Sequence, residues 1–407
     1  MENSEILYGF DVLIDGDIIL SVKPGIEPCD AKVIDCADKF VMPGLFDAHV
    51  HINSSEMHKL FIANGVTSVR NMWGAPLHLE WKKKSEKGEI ICPNIYTTGP
   101  LTDGVAYWDG ASIVTTPEEA EAAVLKAIDD GYMYFKAYPS IPKDAFLHLL
   151  SVAKKHNFKV VGHGNTELNW KTLADFGYYC CEHANCLPDD ENDIEYMAKS
   201  GMWLCPTHCV IMAGAEYFYG GKPLSEYPYM EYLTKSGMES WEVITELQKV
   251  NGRWDMITEK KKTDNLTQPY TLENVVNRAL KFIEHAGADK ILLGTDTPNP
   301  GVIAGFTIFE ELQYMVDVYK LSIFEAIKAG TVNAAAHLGI ENKKGKLAQG
   351  FDADILILND SPLSNVKNIS KIETVIKGGR LFNRTELDDM LEEVRNIKDE
   401  DVVSVFD

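Results

Sequence analysis

Residues 42–51 read Met42-Pro43-Gly44-Leu45-Phe46-Asp47-Ala48-His49-Val50-His51, and this stretch decides the fold. Leu45–Ile52 has the apolar character of a strand, and alternate residues of a strand face the same side. His49 and His51 therefore point together from the C-terminal end of that strand. Two neutral imidazoles so placed make half of a site for zinc, iron or manganese. Taken alone, the pair is a weak signal, and a structural role is the minority reading.

Further along, the same design recurs. Strand-like runs follow at Val66–Arg70, Asn94–Thr98, Met133–Ala137, Lys159–Gly162, Tyr178–Glu182, Met202–Pro206 and Lys290–Gly294, with helical patterns between them at Pro117–Asp130, Pro142–His156 and Leu272–Ala286. Thr116-Pro117-Glu118-Glu119 is a helix start, with an N-cap, a proline at N1 and early acids. This alternation predicts an α/β fold, a (β/α)8 TIM barrel, with a doubly wound sheet as the alternative. The candidate ligands favour the barrel. His49 and His51, Lys136, His163, His183 and Asp296 each close one of these runs. A barrel gathers such residues at one rim, where a doubly wound sheet would not.

Lys136, in Met133-Tyr134-Phe135-Lys136-Ala137-Tyr138, is the unusual member. An unpaired ammonium facing the interior is costly, and it cannot bind a cation while protonated. Carbamylation by carbon dioxide would make it an anionic, bridging oxygen ligand. The competing reading is an ammonium paired with Asp296 or with a substrate carboxylate.

Both chain ends carry β patterns. Asp11-Val12-Leu13-Ile14-Asp15-Gly16-Asp17-Ile18-Ile19-Leu20 is a hairpin signal, and Ala31–Asp35 reads as a third run. Similar material returns at Asp354–Leu358, Ile372–Ile376 and Gly378–Phe382. The expected organisation is a small discontinuous β-sandwich domain from residues 1–43 plus 345–385, a barrel over 44–344, and an acidic C-terminal tail over 386–407. Between Pro206 and Leu272 the rhythm breaks at Tyr217, Tyr219, Tyr227, Tyr229 and Tyr232. That segment, 215–235, reads either as a lid over the site or as a surface excursion packing its own aromatics. Trp241–Lys262 reads as helical.

Composition narrows the class. The chain has 407 residues, 45% of them hydrophobic, and a formal charge of −22, which disfavours nucleic acid and anionic membranes. Eight cysteines without a CxxC pair read as reduced thiols in a cytoplasmic protein. Met1-Glu2-Asn3-Ser4-Glu5 has neither the basic start nor the apolar stretch of a secretory leader.

With these residues in view, the chain resembles the amidohydrolase superfamily, from Pro43–His51 to Gly350-Phe351-Asp352-Ala353-Asp354-Ile355-Leu356-Ile357-Leu358, with Thr331–Gly339 similar to its final barrel helix. Within it, the chain is most similar to the imidazolonepropionase-related and prolidase-like branch. The resemblance implies two divalent metals, zinc by preference with manganese, iron or cobalt as alternatives. His49, His51 and Asp296 would hold one, His163 and His183 the other, and carbamylated Lys136 would bridge. Asn71 after Arg70, and a Gly99–Gly104 loop without histidine, depart from the prolidase-like pattern and put dipeptide specificity in doubt.

The parts imply hydrolysis of an amide C–N bond in a small molecule: a dipeptide, an N-acyl amino acid or a cyclic amide. The metals would acidify a water and polarise the carbonyl, with Asp296 as proton shuttle. Arg70, Tyr138 and His208 are candidate substrate-binding residues; Arg70 and His208 read equally well as a salt-bridge or capping residue. A lactonase or esterase on the same metal centre, and a catalytically silent scaffold, are the alternatives. Superfamily habit suggests a homo-oligomer.

Overall fold

The computed structural model describes residues 3–405 apart from 29, 107, 109, 219, 236, 240, 243, 244 and 246–270. It is a mixed α/β fold built on parallel strands. A hairpin pairs β1 (Asp11–Asp15) with β2 (Ile18–Lys23). Then come β3 (Phe40–Pro43), β4 (Leu45–Val50), β5 (Val66–Asn71), β6 (Asn94–Thr97), the two-residue strands β7 (Thr102–Asp103) and β8 (Ser112–Ile113), β9 (Tyr134–Ala137), β10 (Lys159–Gly162), β11 (Cys180–Glu182) and β12 (Trp203–Cys205). The chain closes with β13 (Ile355–Leu358), β14 (Ile372–Lys377) and β15 (Arg380–Asn383).

β4, β5 and β6 form one parallel sheet; β12, β11, β10, β9, β7 and β8 form a second, in that order. Both β4 and β9 are buried at every residue, as expected of parallel strands covered on both faces. A parallel bridge from Thr98 to Tyr134 links β6 to β9. The eighth expected run, Lys290–Gly294, is no regular strand. Its 3-10 start at Ala288–Lys290 gives way to a segment whose backbone bonds to both flanks: Leu292 N donates to Leu204 O at 2.9 Å on β12's side, while Leu293 O accepts from Ala48 N of β4 at 2.7 Å. Gly294 is required here, since a Cβ would lie 2.5 Å from Cys205 Sγ and 2.9 Å from His49 Cβ.

The helices form where their caps and apolar stripes say they should. Pro117–Asp129 has Thr116 accepting from Glu119 N at 3.2 Å, a reciprocal capping box, and buries Ala120, Val124 and Ala127. Leu272–Ala286 is capped by Thr271 and buries Val275, Ala279 and Phe282. Arg384–Arg395, capped by Asn383, buries Leu387, Met390 and Val394 and lies against the helix Met57–Ala63.

At the chain ends, β3 pairs antiparallel with β13 in the sheet β15-β14-β13-β3. The hairpin packs on it through Val12, Ile14, Ile19 and Val22 against Ile355 and Ile376. Ala31–Asp35, expected as a strand, is irregular. Val33 and Ile34 lie exposed, and Phe40–Pro43 takes the place beside β13 instead. The helix expected over Trp241–Lys262 lies largely outside the described residues, as does Tyr219. Among the described residues, no helix is long and apolar enough to cross a membrane.

Candidate metal centre

Backbone pairing brings the strand ends together. His51 N donates to Thr297 O at 2.6 Å, and Asp296 N to His49 O at 2.7 Å. Asp47 adds a side-chain tie. Its carboxylate accepts from Thr295 N at 3.0 Å, from Thr295 Oγ1 at 2.7 Å and from His49 N at 3.2 Å. Burial pushes the Asp47 carboxyl up to about 7 despite these donors. Register places Lys136 opposite Val161, and His163 N lies 3.4 Å from Ala137 O. His183 N bonds to Cys205 O at 2.8 Å.

The side chains converge accordingly. Asp296 Oδ1 is 2.9 Å from His51 Nε2 and 3.3 Å from His49 Nε2; its Oδ2 is 3.8 Å from His183 Nδ1. His183 Nε2 faces His163 Nε2 at 3.0 Å. His49, His183 and Asp296 can each offer a ligand atom within 4.8 Å of the other two. Burial, ahead of Lys136's charge, drives His49 far below its usual range, and burial lowers His183 to about 4. Both imidazoles are neutral at pH 7. Burial opposes ionisation of Asp296, but the imidazole edges of His49, His183 and His51 outweigh it and keep the carboxyl low.

Lys136 is fully buried. Its Nζ has no hydrogen-bond partner and lies 5.6 Å from the ring centre of Tyr138, whose ring is 4.3 Å from that of His163. Burial pushes the ammonium down; Glu182 and Asp296 oppose that shift. His49 Nε2 is likewise buried without a hydrogen bond. Such an unpaired polar atom costs about 1–3 kcal/mol. A cluster of them around a carboxylate, with neutral nitrogens turned inward, fits a divalent cation.

Behind the cluster Arg70 takes the salt-bridge role that the sequence left open, with two partners, Glu182 and His337, that the sequence did not single out. Glu182 Oε2 accepts from His49 Nδ1 at 2.9 Å and from Arg70 Nη2 at 2.7 Å, and Arg70 Nη1 lies 2.8 Å from His337 Nε2. Arg70 is thus packed beneath the cluster in a buried ion pair. His49, Glu182 and Cys205 also have metal-ligand spacing, but a cation there would meet the Arg70 guanidinium. The signal for Glu182 was present: a lone charge ending Cys180-Cys181-Glu182, the logic that singled out Lys136. His208 is buried too, with Nδ1 2.8 Å from Tyr319 Oη and its ring against Tyr314. In the tyrosine-rich segment, Tyr229 and Tyr232 stack on Phe306, and Tyr227 Oη donates to Ala213 O at 2.9 Å.

Residues 40–382 match the family described as the amidohydrolase family. An ochratoxinase from Aspergillus niger is 36% identical over 110 residues, covering 26% of this chain and 22% of that protein. An imidazolonepropionase from Kosmotoga olearia is 33% identical over 107 residues, 26% of each chain. The chain thus matches about a quarter of the length of these curated relatives. A Xaa-Pro dipeptidase solved with methionine in its active site superposes with a TM-score of 0.69 at 22% identity, over 92% of this chain and 95% of that one.

Proposed function

The chain belongs to the amidohydrolase family, and on that premise we propose that it is a metal-dependent hydrolase cleaving an amide C–N bond in a small molecule. The observation that carries the reading is the buried cluster of His49 Nε2 and Lys136 Nζ, neither of them hydrogen-bonded, around the imidazole-flanked carboxylate of Asp296 at one set of strand ends. We take the parallel strands and the Ile291–Thr297 segment as a (β/α)8 barrel, and the paired chain ends as a small composite domain of residues 1–43 and 345–385.

His49, His51 and Asp296 would hold one divalent ion and His163 and His183 a second. Lys136, its ammonium disfavoured by burial, would add to carbon dioxide through its neutral nitrogen, lose a proton and bridge as a carbamate. Zinc is the preferred ion for this donor set. Two such ions supply Lewis acidity and an acidified water.

The chain's own groups do the rest. Asp296, kept ionised, takes a proton from the attacking water and returns it to the leaving nitrogen as the C–N bond breaks. The products are a carboxylic acid and an amine. Glu182 and Arg70 hold His49 in place from behind. Tyr138, beside Lys136 and His163, is the nearest of the candidate substrate contacts; Arg70 acts through Glu182, and His208 is bound to Tyr319. The substrate class is a dipeptide, N-acyl amino acid or cyclic amide, in keeping with the relatives' names.

The deciding measurement is metal per chain by plasma mass spectrometry after growth with zinc, followed by parallel amide and ester substrate panels. About two ions per chain and turnover of amides are expected. A chain that holds no metal tightly would sink the reading, and turnover of esters or lactones alone would shift it to an esterase.

A further inference from the structure

We propose that Thr207 is a positioning residue that sets the tautomer and aim of His183, held in a strained backbone conformation for that purpose. The inference deepens the metal-centre reading and rests on it. Thr207 is fully buried, and its Oγ1 lies 2.7 Å from His183 Nδ1. With Nδ1–H donating to that hydroxyl oxygen, the lone pair of His183 is left on Nε2. That is the atom facing His163 Nε2 at 3.0 Å, on the side where a cation would sit.

The backbone shows what this arrangement demands. Thr207 has φ +47°, and among the described non-glycine residues with positive φ it is the β-branched one. A branched Cβ is least tolerated there. Such a conformation persists only where the surroundings over-determine it, and here they do. On one side Pro206 O accepts from Ala184 N at 3.0 Å, tying the turn to the residue after His183. On the other, the buried carboxylate of Glu311 brackets the start of the helix His208–Phe218, accepting from His208 N at 2.9 Å and Cys209 N at 2.8 Å. Neither neighbour needs a hydroxyl or a branched side chain at 207. A glycine would satisfy the turn without strain, so the threonine is explained by what its hydroxyl touches.

The test is zinc affinity of the metal-free protein, measured by competition with a chromophoric chelator, for wild type, T207S, T207V and T207G. Loss of a hydrogen bond that orients a metal-ligating histidine lowers affinity about 10–100-fold. T207V, which keeps the shape and loses the hydroxyl, is expected to fall by that factor, and T207S to stay close to wild type. T207G is expected to bind zinc as poorly as T207V while its metal-free melting temperature rises. A purely structural threonine would move melting temperature and leave affinity alone, so T207V binding like wild type overturns the proposal. Imidazole nitrogen shifts of metal-free wild type give an arm that needs no variant: the proton of His183 on Nδ1 supports the proposal, and on Nε2 overturns it. Wild type that binds no zinc defeats the metal-centre reading instead, and the tautomer still decides the role of Thr207.

Discussion

Two buried polar clusters sit at opposite ends of the parallel strands, and they are built on opposite terms. At the N-terminal ends, Asp354 accepts from Lys344 Nζ at 2.6 Å, Asn94 Nδ2 at 2.8 Å and Gly378 N at 2.8 Å, while Lys377 Nζ stands 3.7 Å away. Its backbone oxygen takes Gly44 N at 2.9 Å. Both carboxylate oxygens and the ammonium of Lys344 are satisfied. At the C-terminal ends, Lys136 Nζ, His49 Nε2 and one oxygen of Glu182 are buried with no hydrogen bond, and His183, Thr207 and Asp296 all have positive φ. A satisfied network joins pieces of a fold; an unsatisfied one is shaped for something the chain does not itself supply.

Replacing Asp296 by Asn should give the largest effect. Loss of a general base costs about 10²–10⁴ in kcat, with the metal-free fold no less stable, since a carboxylate crowded among unpaired atoms is removed. Near-wild-type turnover would end its role as proton shuttle. Replacing Lys136 by Met separates the clusters next: bound zinc is expected to fall from about two ions to about one, while the metal-free melting temperature rises. Two ions retained by this variant would show that the lysine does not bridge.

The satisfied cluster should respond in reverse. Asp354→Asn leaves Asp352, 2.6 Å from Nζ, as the remaining carboxylate on the buried Lys344 ammonium, at a cost toward the lower end of the about 3–5 kcal/mol of a broken buried pair, read by denaturant unfolding. The kcat/KM of the folded fraction should hold. A variant that lost activity at unchanged stability would join the two clusters functionally and break the comparison.

That contrast also explains what could be read in advance. The convergence of His49, His51, Lys136, His163, His183 and Asp296 was legible because each closes an apolar run, where a polar side chain has few structural reasons to be. Arg70 and His208 close runs as well, yet their groups turn into the protein, toward Glu182 and Tyr319. Facing is decided by pairing and by the bend at the strand end, and a sequence records neither. Thr207 left no signal at all, since the role proposed for it depends on a backbone angle and on neighbours, among them Glu311 against His208 and Cys209, that are distant in the chain. Ala31–Asp35 shows the complementary error: alternation without a partner strand gives an exposed, irregular segment.

The smallest effect is a pH dependence that sets Glu311 against Asp354. Burial pushes the Glu311 carboxyl from the ordinary range up to about 7, against the donors Cys209 N and His208 N. Its folded value lies above its unfolded one, so the folded state binds the extra proton between roughly pH 4.3 and 7. The associated stability is fully present below that window and is lost as pH rises through 7. Asp354 has the opposite sign. Burial opposes its ionisation, but Lys377 and Lys344 hold it below the usual range, so its contribution is present above about pH 4 and is lost as pH falls further. Glu311→Gln should therefore flatten the decline in stability between pH 5 and 7.5 by on the order of 1–3 kcal/mol, one pKa unit being worth about 1.4 kcal/mol. The acid limb below pH 4 should stay intact, and Asp354→Asn should remove part of that limb alone. Urea midpoints across the range measure both, and a Glu311→Gln protein whose neutral decline matched wild type would place the buried charge elsewhere.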